Sequence, residues 1–219
     1  MTPPPEVPGV SWGTARIGEE GAPPAELDRL GPDATERRRA TFVAGRRAAH
    51  RALEAHLLEA HLLEANLLGA NTAEALRVDA DAHGKPTVSR PGVELSITHA
   101  GGWALAAASR APLGVDLVER EPLSDAFAAE AFAAGELAAW SAWEPDPVLA
   151  RCLAFAGKEA ALKWLGVGMG LPLQKVRVLP EGRHATVFHP DGRVRLGLVH
   201  FQLAPELWAV LLAGGRLAR

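Results

Sequence analysis

The chain is predicted to be α+β, built as two similar lobes that meet near residue 112, and three observations lead there. Helix-forming residues concentrate in two long runs, about 35–68 and 124–164. Each run is followed by short apolar and β-branched stretches punctuated by glycine and proline. Helix first and strands afterwards is therefore an order that occurs twice, unlike the regular alternation of a parallel βαβ chain.

The elements follow in order. Met1-Thr2-Pro3-Pro4-Pro5 opens a proline-rich leader with no basic region followed by an apolar run, and Val10–Ile17 reads as a strand. In the first helical run, Glu54-Ala55-His56-Leu57-Leu58 is nearly copied at Glu59–Leu63 and again at Glu64–Leu68. Five residues are too few for a solenoid unit, so the copies read as a slipped duplication that lengthened a helix. His56 and His61, five apart, sit about 140° from each other at 3.6 residues per turn and make a poor metal pair. Strands are predicted at 75–80, 93–97, 103–109 and 113–118, with a turn around His83-Gly84-Lys85-Pro86. The second helical run breaks at Gly135 and at Pro145-Asp146-Pro147, where Asp146 caps a helix with Pro147 in its first turn. It stops at Gly166-Val167-Gly168-Met169-Gly170, and strands return at 173–179, 185–189, 193–202 and 207–213.

With 219 residues and 48% hydrophobic content, the chain builds its core without staples. The single Cys152 excludes an internal disulfide and a cysteine-rich zinc site, and its apolar helical setting predicts a buried, inert thiol. No stretch is long and apolar enough to span a bilayer, so the expectation is a soluble cytoplasmic protein without a membrane partner. A formal charge of −3, from 23 Lys and Arg against 26 Asp and Glu, argues against nucleic acid as the main partner. Local charge differs: Arg37, Arg38, Arg39, Arg46, Arg47 and Arg51 make the first long helix basic enough to hold one small polyanion. The six tryptophans lack basic interleaving and read as core or lobe-interface residues.

Chemistry concentrates in three segments. Ser96-Ile97-Thr98-His99-Ala100 offers a hydroxyl and an imidazole to phosphate oxygens. His99 leads into Gly101-Gly102, where backbone amides approach an anion, although a histidine there also serves as a structural hydrogen-bonder or a catalytic base. In Gly114-Val115-Asp116-Leu117-Val118-Glu119, Asp116 offers a carboxylate to a metal, unless it is only a turn or strand-end residue. Val118 shares its face and Glu119 points across. In Gly157–Lys163, Glu159 and Lys163 stand one helical turn apart, and an exposed pair of that kind contributes only about 0.3 to 0.5 kcal/mol. Apolar flanks from Leu153 to Leu165 instead predict a buried helix, where charges are costly unless paired or metal-bound. Gly166–Gly170 follows a helix and precedes a strand, the reverse of a phosphate-loop order. Together the three segments suggest a magnesium-dependent enzyme acting on a pyrophosphate.

In order and wording these segments resemble the 4'-phosphopantetheinyl transferases, in particular their monomeric two-lobed branch. The likeness covers most of the chain: Gly84-Lys85-Pro86, Leu95–Trp103, Gly114-Val115-Asp116, Phe155–Lys163 and its continuation Gly166–Val178. It implies a pseudo-dimer of two α+β lobes, 1–111 contacting coenzyme A and 112–219 carrying the catalytic motifs, with the active site at the junction. The reaction it implies is transfer of the phosphopantetheine arm of coenzyme A to a serine of an acyl or peptidyl carrier protein, releasing adenosine 3',5'-bisphosphate. Asp116 and Glu159 then hold Mg²⁺, with Glu159 also the base for the serine. His99, Thr98 and Lys163 contact phosphate oxygens, and Lys85 and Pro86 lie along the nucleotide. Arg46 takes the 3'-phosphate with Arg38 or Arg39 as helpers and Arg47 as an alternative, while Lys158 is counted among the cofactor-binding residues.

The chain departs from that pattern in two places. Val118 stands where two-lobed members usually carry a second acid, with Glu119 one place later, and water is the expected replacement ligand. Ser96 and Ala100 replace the Asn and Ser common in the histidine motif. The alternatives are a non-catalytic module that binds coenzyme A or a carrier, and a Mg²⁺-dependent nucleotide pyrophosphatase. Phe127, Phe132, Trp140 and Trp143 offer a groove for a carrier helix, with core packing as the competing explanation.

Overall fold

The computed structural model describes residues 1–21, 24–64 and 76–214. The predicted helix beyond Glu64, with most of the last repeat copy, the side chain of His61 and residue 75 lie outside the described residues. The first half runs β1 (Val10–Arg16), α1 (Glu36–Glu64), β2 (Val78–Ala80), β3 (Pro86–Val88), β4 (Glu94–Ala100) and β5 (Trp103–Ser109). The second runs β6 (Leu113–Glu119), α2 (Asp125–Ala131), α3 (Glu136–Trp143), α4 (Pro147–Leu165), β7 (Arg177–Glu181), β8 (His184–His189), β9 (Gly192–Ala204) and β10 (Leu207–Ala213).

The result is a mixed helix-and-sheet protein whose strand pairings, among the described residues, are all antiparallel. One sheet has the order β1-β5-β4, with the β2-β3 hairpin as a separate pair, and the other has the order β6-β10-β9-β8-β7. In each half the first strand pairs with the last, which pairs with the one before it.

Small residues set the helix-on-sheet distances in both halves. Ala44, Ala48, Ala49 and Ala52 of α1 pack on Ala104, Ala106 and Ala108 of β5. A Cβ on Gly13 of β1 would lie 2.0 Å from the Ala48 carbonyl oxygen, and one on Gly114 of β6 would lie 1.9 Å from that of Ala160. Both contacts are with helix backbone, which cannot rotate away as a side chain can. Gly114→Ala is therefore expected to push α4 off β6 and cost about 1 to 3 kcal/mol or more, the range of core overpacking. A denaturant midpoint unchanged from wild type would overturn this.

β6 has two packed faces. Leu113, Val115 and Leu117 meet Leu105 and Ala107 of β5 together with Leu203 and Leu211, joining the two sheets. Gly114 and Val118 face the α4 side, which puts Asp116 on that face as well. Helix α4 begins as predicted: Asp146 Oδ1 accepts from Val148 N and Leu149 N, with Pro147 in the first turn. Gly166, at φ 72°, ends it.

Three expectations are corrected. Leu173–Lys175 is a 3-10 turn rather than strand, because Pro172 starts a turn and the Leu173 and Val176 carbonyls accept from Lys158 Nζ instead of a ladder. Pro86, read as part of a turn, begins instead a short strand over residues 86–88 that pairs with β2. A 3-10 helix at Ala25–Arg29 was not predicted. The aromatics of the second helical run are packed: Trp140 is fully buried with its indole N–H donating to Val178 O, and Phe127 meets Phe155 edge-on at 5.3 Å. Cys152 is buried, its thiol donates to Glu121 O, and burial pushes its pKa up, which keeps it unreactive.

Candidate functional site

The two sheets meet where β4 lies against β6, and short hydroxyl side chains make the connection. Ser96 Oγ accepts from Val115 N at 3.1 Å, and Thr98 Oγ1 accepts from Leu117 N at 3.2 Å. Thr98 also donates to Asp116 Oδ1 at 2.8 Å. From α4, Lys163 Nζ donates to the same oxygen at 2.7 Å and to Val115 O at 3.0 Å. Asp116, 7% exposed, is thus fixed by groups from β4 and α4.

Glu159 stands one turn before Lys163 on α4 and is only partly accessible. Burial and the nearby Asp116 carboxylate push its pKa up, with Lys163 opposing them. Two acids that disfavour each other's charge suit a divalent cation, which relieves the repulsion. Among the described residues no group of three or more His, Cys, Asp and Glu is placed to hold a metal. A cation here would have two carboxylates and fill its remaining positions with water and substrate oxygens, the coordination that Mg²⁺ prefers.

The raised pKa has a testable sign. At neutral pH the metal-free native state carries a carboxylate that the unfolded chain accommodates better, so Glu159 subtracts stability. As pH falls through the raised folded value, the native state takes up the proton first and the penalty shrinks, vanishing below the unfolded value. The stability advantage of Glu159→Gln over wild type is therefore expected to be largest at neutral pH and to diminish on acidification. Urea melts of both proteins at matched pH check this, and an advantage that is flat with pH would count against it.

A cavity of about 930 Å³ opens beside this cluster. Ser96, Ile97 and His99 of β4 line it, with Arg37, Arg38, Phe42 and Arg46 of α1, the His83–Pro86 turn, and Glu159, Leu162 and Lys163 of α4. Its lining carries several cations and one acid, a field that favours an anion. Arg46 stacks over Phe42 at 4.6 Å, and its Nε is buried without a hydrogen-bond partner among the described residues. Burial lowers its pKa, against Glu26. His99 is also lowered, by burial and by Lys163 against Asp116. Lys85 Nζ is paired with Glu94 at 2.8 Å.

Arg46, Lys85, Pro86, His99, Glu159 and Lys163 therefore share one cavity, and Asp116 adjoins it through Lys163. Two predicted residues are elsewhere. Thr98 does not line the cavity, because its hydroxyl is spent on Asp116 and Leu117 N. Lys158 faces away from it: its Nζ lies 2.7 Å from Glu136, both side chains are fully buried, and it donates to the Leu173 and Val176 carbonyls. One residue of offset turns a helical side chain by about 100°, enough to send Lys158 toward α3 and β7 while Glu159 faces the junction.

Of the other arginines, Arg38 lines the cavity, Arg39 holds the Ala34 and Pro32 carbonyls, and Arg47 holds those of Glu19 and Gly21. Gly101 and Gly102, at φ 56° and 76°, close the β4–β5 hairpin outside the cavity lining, so the amide anion site expected there is not part of this cavity. Glu119 is exposed beside Gly101, on the β6 face opposite Asp116. Arg29 and Phe42 line the cavity and were not predicted. Phe42 had one available signal, its position one helical turn before Arg46.

Residues 112–209, a segment that begins one residue before β6, match the family model of the 4'-phosphopantetheinyl transferase superfamily. Among curated relatives, the 4'-phosphopantetheinyl transferase ffp of Bacillus subtilis is 29% identical over 125 residues, 56% of this chain and 52% of the relative. The 4'-phosphopantetheinyl transferase psf-1 of Bacillus pumilus is 28% identical over 137 residues, 60% of this chain and 58% of the relative. The 4'-phosphopantetheinyl transferase Sfp of Bacillus subtilis (strain 168) is 27% identical over 125 residues, 56% and 52% respectively. The chain spans just over half the length of these relatives. No helix among the described residues is long and apolar enough to cross a membrane.

Proposed function

We propose that this protein transfers the 4'-phosphopantetheine arm of coenzyme A to a serine of an acyl or peptidyl carrier protein, releasing adenosine 3',5'-bisphosphate. The observation that carries the reading is the Asp116–Lys163 pair with Glu159 beside it, bordering a basic cavity that residues before and after position 112 line together. The family match and the three similar transferases support it. In this reading residues 1–111 and 112–219 act as two lobes of a monomeric cytoplasmic pseudo-dimer, with the site at their junction. The repeated strand order supports that division.

Asp116 and Glu159 hold Mg²⁺, which when bound neutralises pyrophosphate charge and orients its oxygens. Arg46, with Arg38 beside it, takes the 3'-phosphate, an assignment favoured by the buried guanidinium nitrogen that lacks a hydrogen-bond partner among the described residues. Lys85 and Pro86 line the nucleotide, and His99 contacts phosphate oxygens. The serine hydroxyl is a weak nucleophile at neutral pH, and Glu159 receives its proton as the oxygen bonds to the phosphorus that bears the pantetheine. The bond from that phosphorus to the bridging oxygen breaks, and Lys163 donates to the departing nucleotide phosphate. The product on the carrier is a phosphodiester. Positioning and charge neutralisation carry most of such a transfer, and rigid support from β4, β6 and α4 suits that demand.

The test is incubation with coenzyme A, Mg²⁺ and a panel of apo-carriers from fatty-acid, polyketide and nonribosomal peptide synthases. A carrier mass gain of one phosphopantetheine arm is the expected result. Binding of coenzyme A without that gain across the panel would leave a non-catalytic module, which the buried apolar Val118 favours by supplying no further ligand. Breakdown of coenzyme A with no carrier present would indicate a pyrophosphatase.

A further inference from the structure

About 15 Å along α1 from Arg46, at 1.5 Å per residue, a second cavity of about 310 Å³ lies apart from the junction. His56, Arg90 and Arg110 line it. His56 is 6% exposed and belongs to a short chain of hydrogen bonds: its Nδ1 lies 3.3 Å from Ser11 Oγ, which donates to Glu59 Oε2 at 3.1 Å. Ser11 has one hydroxyl proton. With that proton on Glu59, Ser11 Oγ accepts from Nδ1–H, so the neutral imidazole carries its lone pair on Nε2. That nitrogen is closed to bulk water and has no hydrogen-bond partner among the described residues.

A buried acceptor without a donor among the described residues costs free energy, and its residue, His56, lines a cavity that two guanidinium groups also line. The need is for a ligand with anionic oxygens and one O–H. We propose that this cavity binds a protonated phosphate group, as inorganic phosphate or the head of a small phosphomonoester, held by Arg90 and Arg110 and donating its hydroxyl to His56 Nε2. The charged groups around the imidazole agree with a neutral acceptor: burial, Arg110 and Arg90 lower its pKa against Glu59 on its own helix. Sulfate has the same shape and charge but no proton at neutral pH, so it cannot satisfy Nε2. The site is independent of the chemistry proposed at the junction.

His56 imidazole resonances of the full chain, identified by their absence in His56→Gln, report on this cavity even if phosphate also enters the larger one. Titration with inorganic phosphate is expected to move them saturably. Arg90→Ala should weaken that response about tenfold or more, since a charge-assisted bond contributes roughly 1.5 to 3 kcal/mol. Sulfate at matched ionic strength should respond far more weakly. Arg110→Ala carries the same expectation and serves if Arg90→Ala does not fold. A response to glycerol phosphate as well as inorganic phosphate identifies a monoester site, and inorganic phosphate alone identifies a free-ion site. Absence of a saturable shift, an undiminished response in a folded arginine variant, or equal response to sulfate overturns the proposal.

Discussion

Asp116→Asn is expected to reduce phosphopantetheine transfer on the order of 10³-fold, and Glu159→Gln by as much, while Glu119→Ala stays within a few-fold of wild type. The first two substitutions keep side-chain shape and remove a charge from a pair whose surroundings leave no substitute. Asp116 is 7% exposed, accepts from Thr98 and Lys163 through one oxygen, and has Val118 as its next neighbour on the same strand face. Glu159 loses a proposed metal ligand and a proposed base together, and general-base contributions alone run to about 10² to 10⁴-fold. Glu119 faces the other way, exposed over the β4–β5 turn, so water is the better candidate for the remaining metal position. Initial rates of carrier modification for the three purified proteins, each shown to be folded by circular dichroism, make the comparison. Comparable loss in Glu119→Ala and Asp116→Asn would mean that β6 turns Glu119 inward on loading.

The charged cluster was legible because its flanks made it expensive. Glu159 and Lys163 sit in a helix apolar nearly all round, and Asp116 sits in an apolar strand, so each raised the question of what compensates it. Strand positions were legible from alternation and turn residues, and β5 has the predicted bounds. What the sequence could not convey was which surface each polar group would meet. Thr98 shares a strand face with Ser96, and both hydroxyls go to the backbone of β6 because the two sheets stack there, a long-range fact with no local signature. That placement of Thr98, against Asp116 and Leu117 N rather than in the cavity lining, follows from the same long-range stacking. The pairing of β6 with β10 has the same character, since it joins the two ends of the second half.

Lys158 shows the same limit in a helix, and it carries the largest stability effect expected here. An apolar pattern all round α4 left no polar face to separate Lys158 from Glu159, and its partner Glu136 lies on another helix. In the fold the pair is sealed. Burial holds the lysine below its usual range and Glu136 opposes that, while Glu136 also accepts from Val178 N and Ala133 N. Lys158→Met preserves length and removes the cation, which leaves a buried carboxylate facing the core and frees the Leu173 and Val176 carbonyls. Breaking a buried pair in this way costs about 3 to 5 kcal/mol. Lys158→Met with Glu136→Gln removes the stranded charge and keeps an acceptor for Val178 N, so the double variant should be more stable than Lys158→Met alone. Denaturant melts of the wild type, both single variants and the double variant test this. Additive losses in the double variant would show that the two residues act separately, and a mild Lys158→Met phenotype would show that Glu136 finds compensation elsewhere. A further consequence separates this residue from the cavity: at temperatures where the Lys158→Met variant remains folded, its KM for coenzyme A should match wild type, whereas a lysine on the cofactor would raise it.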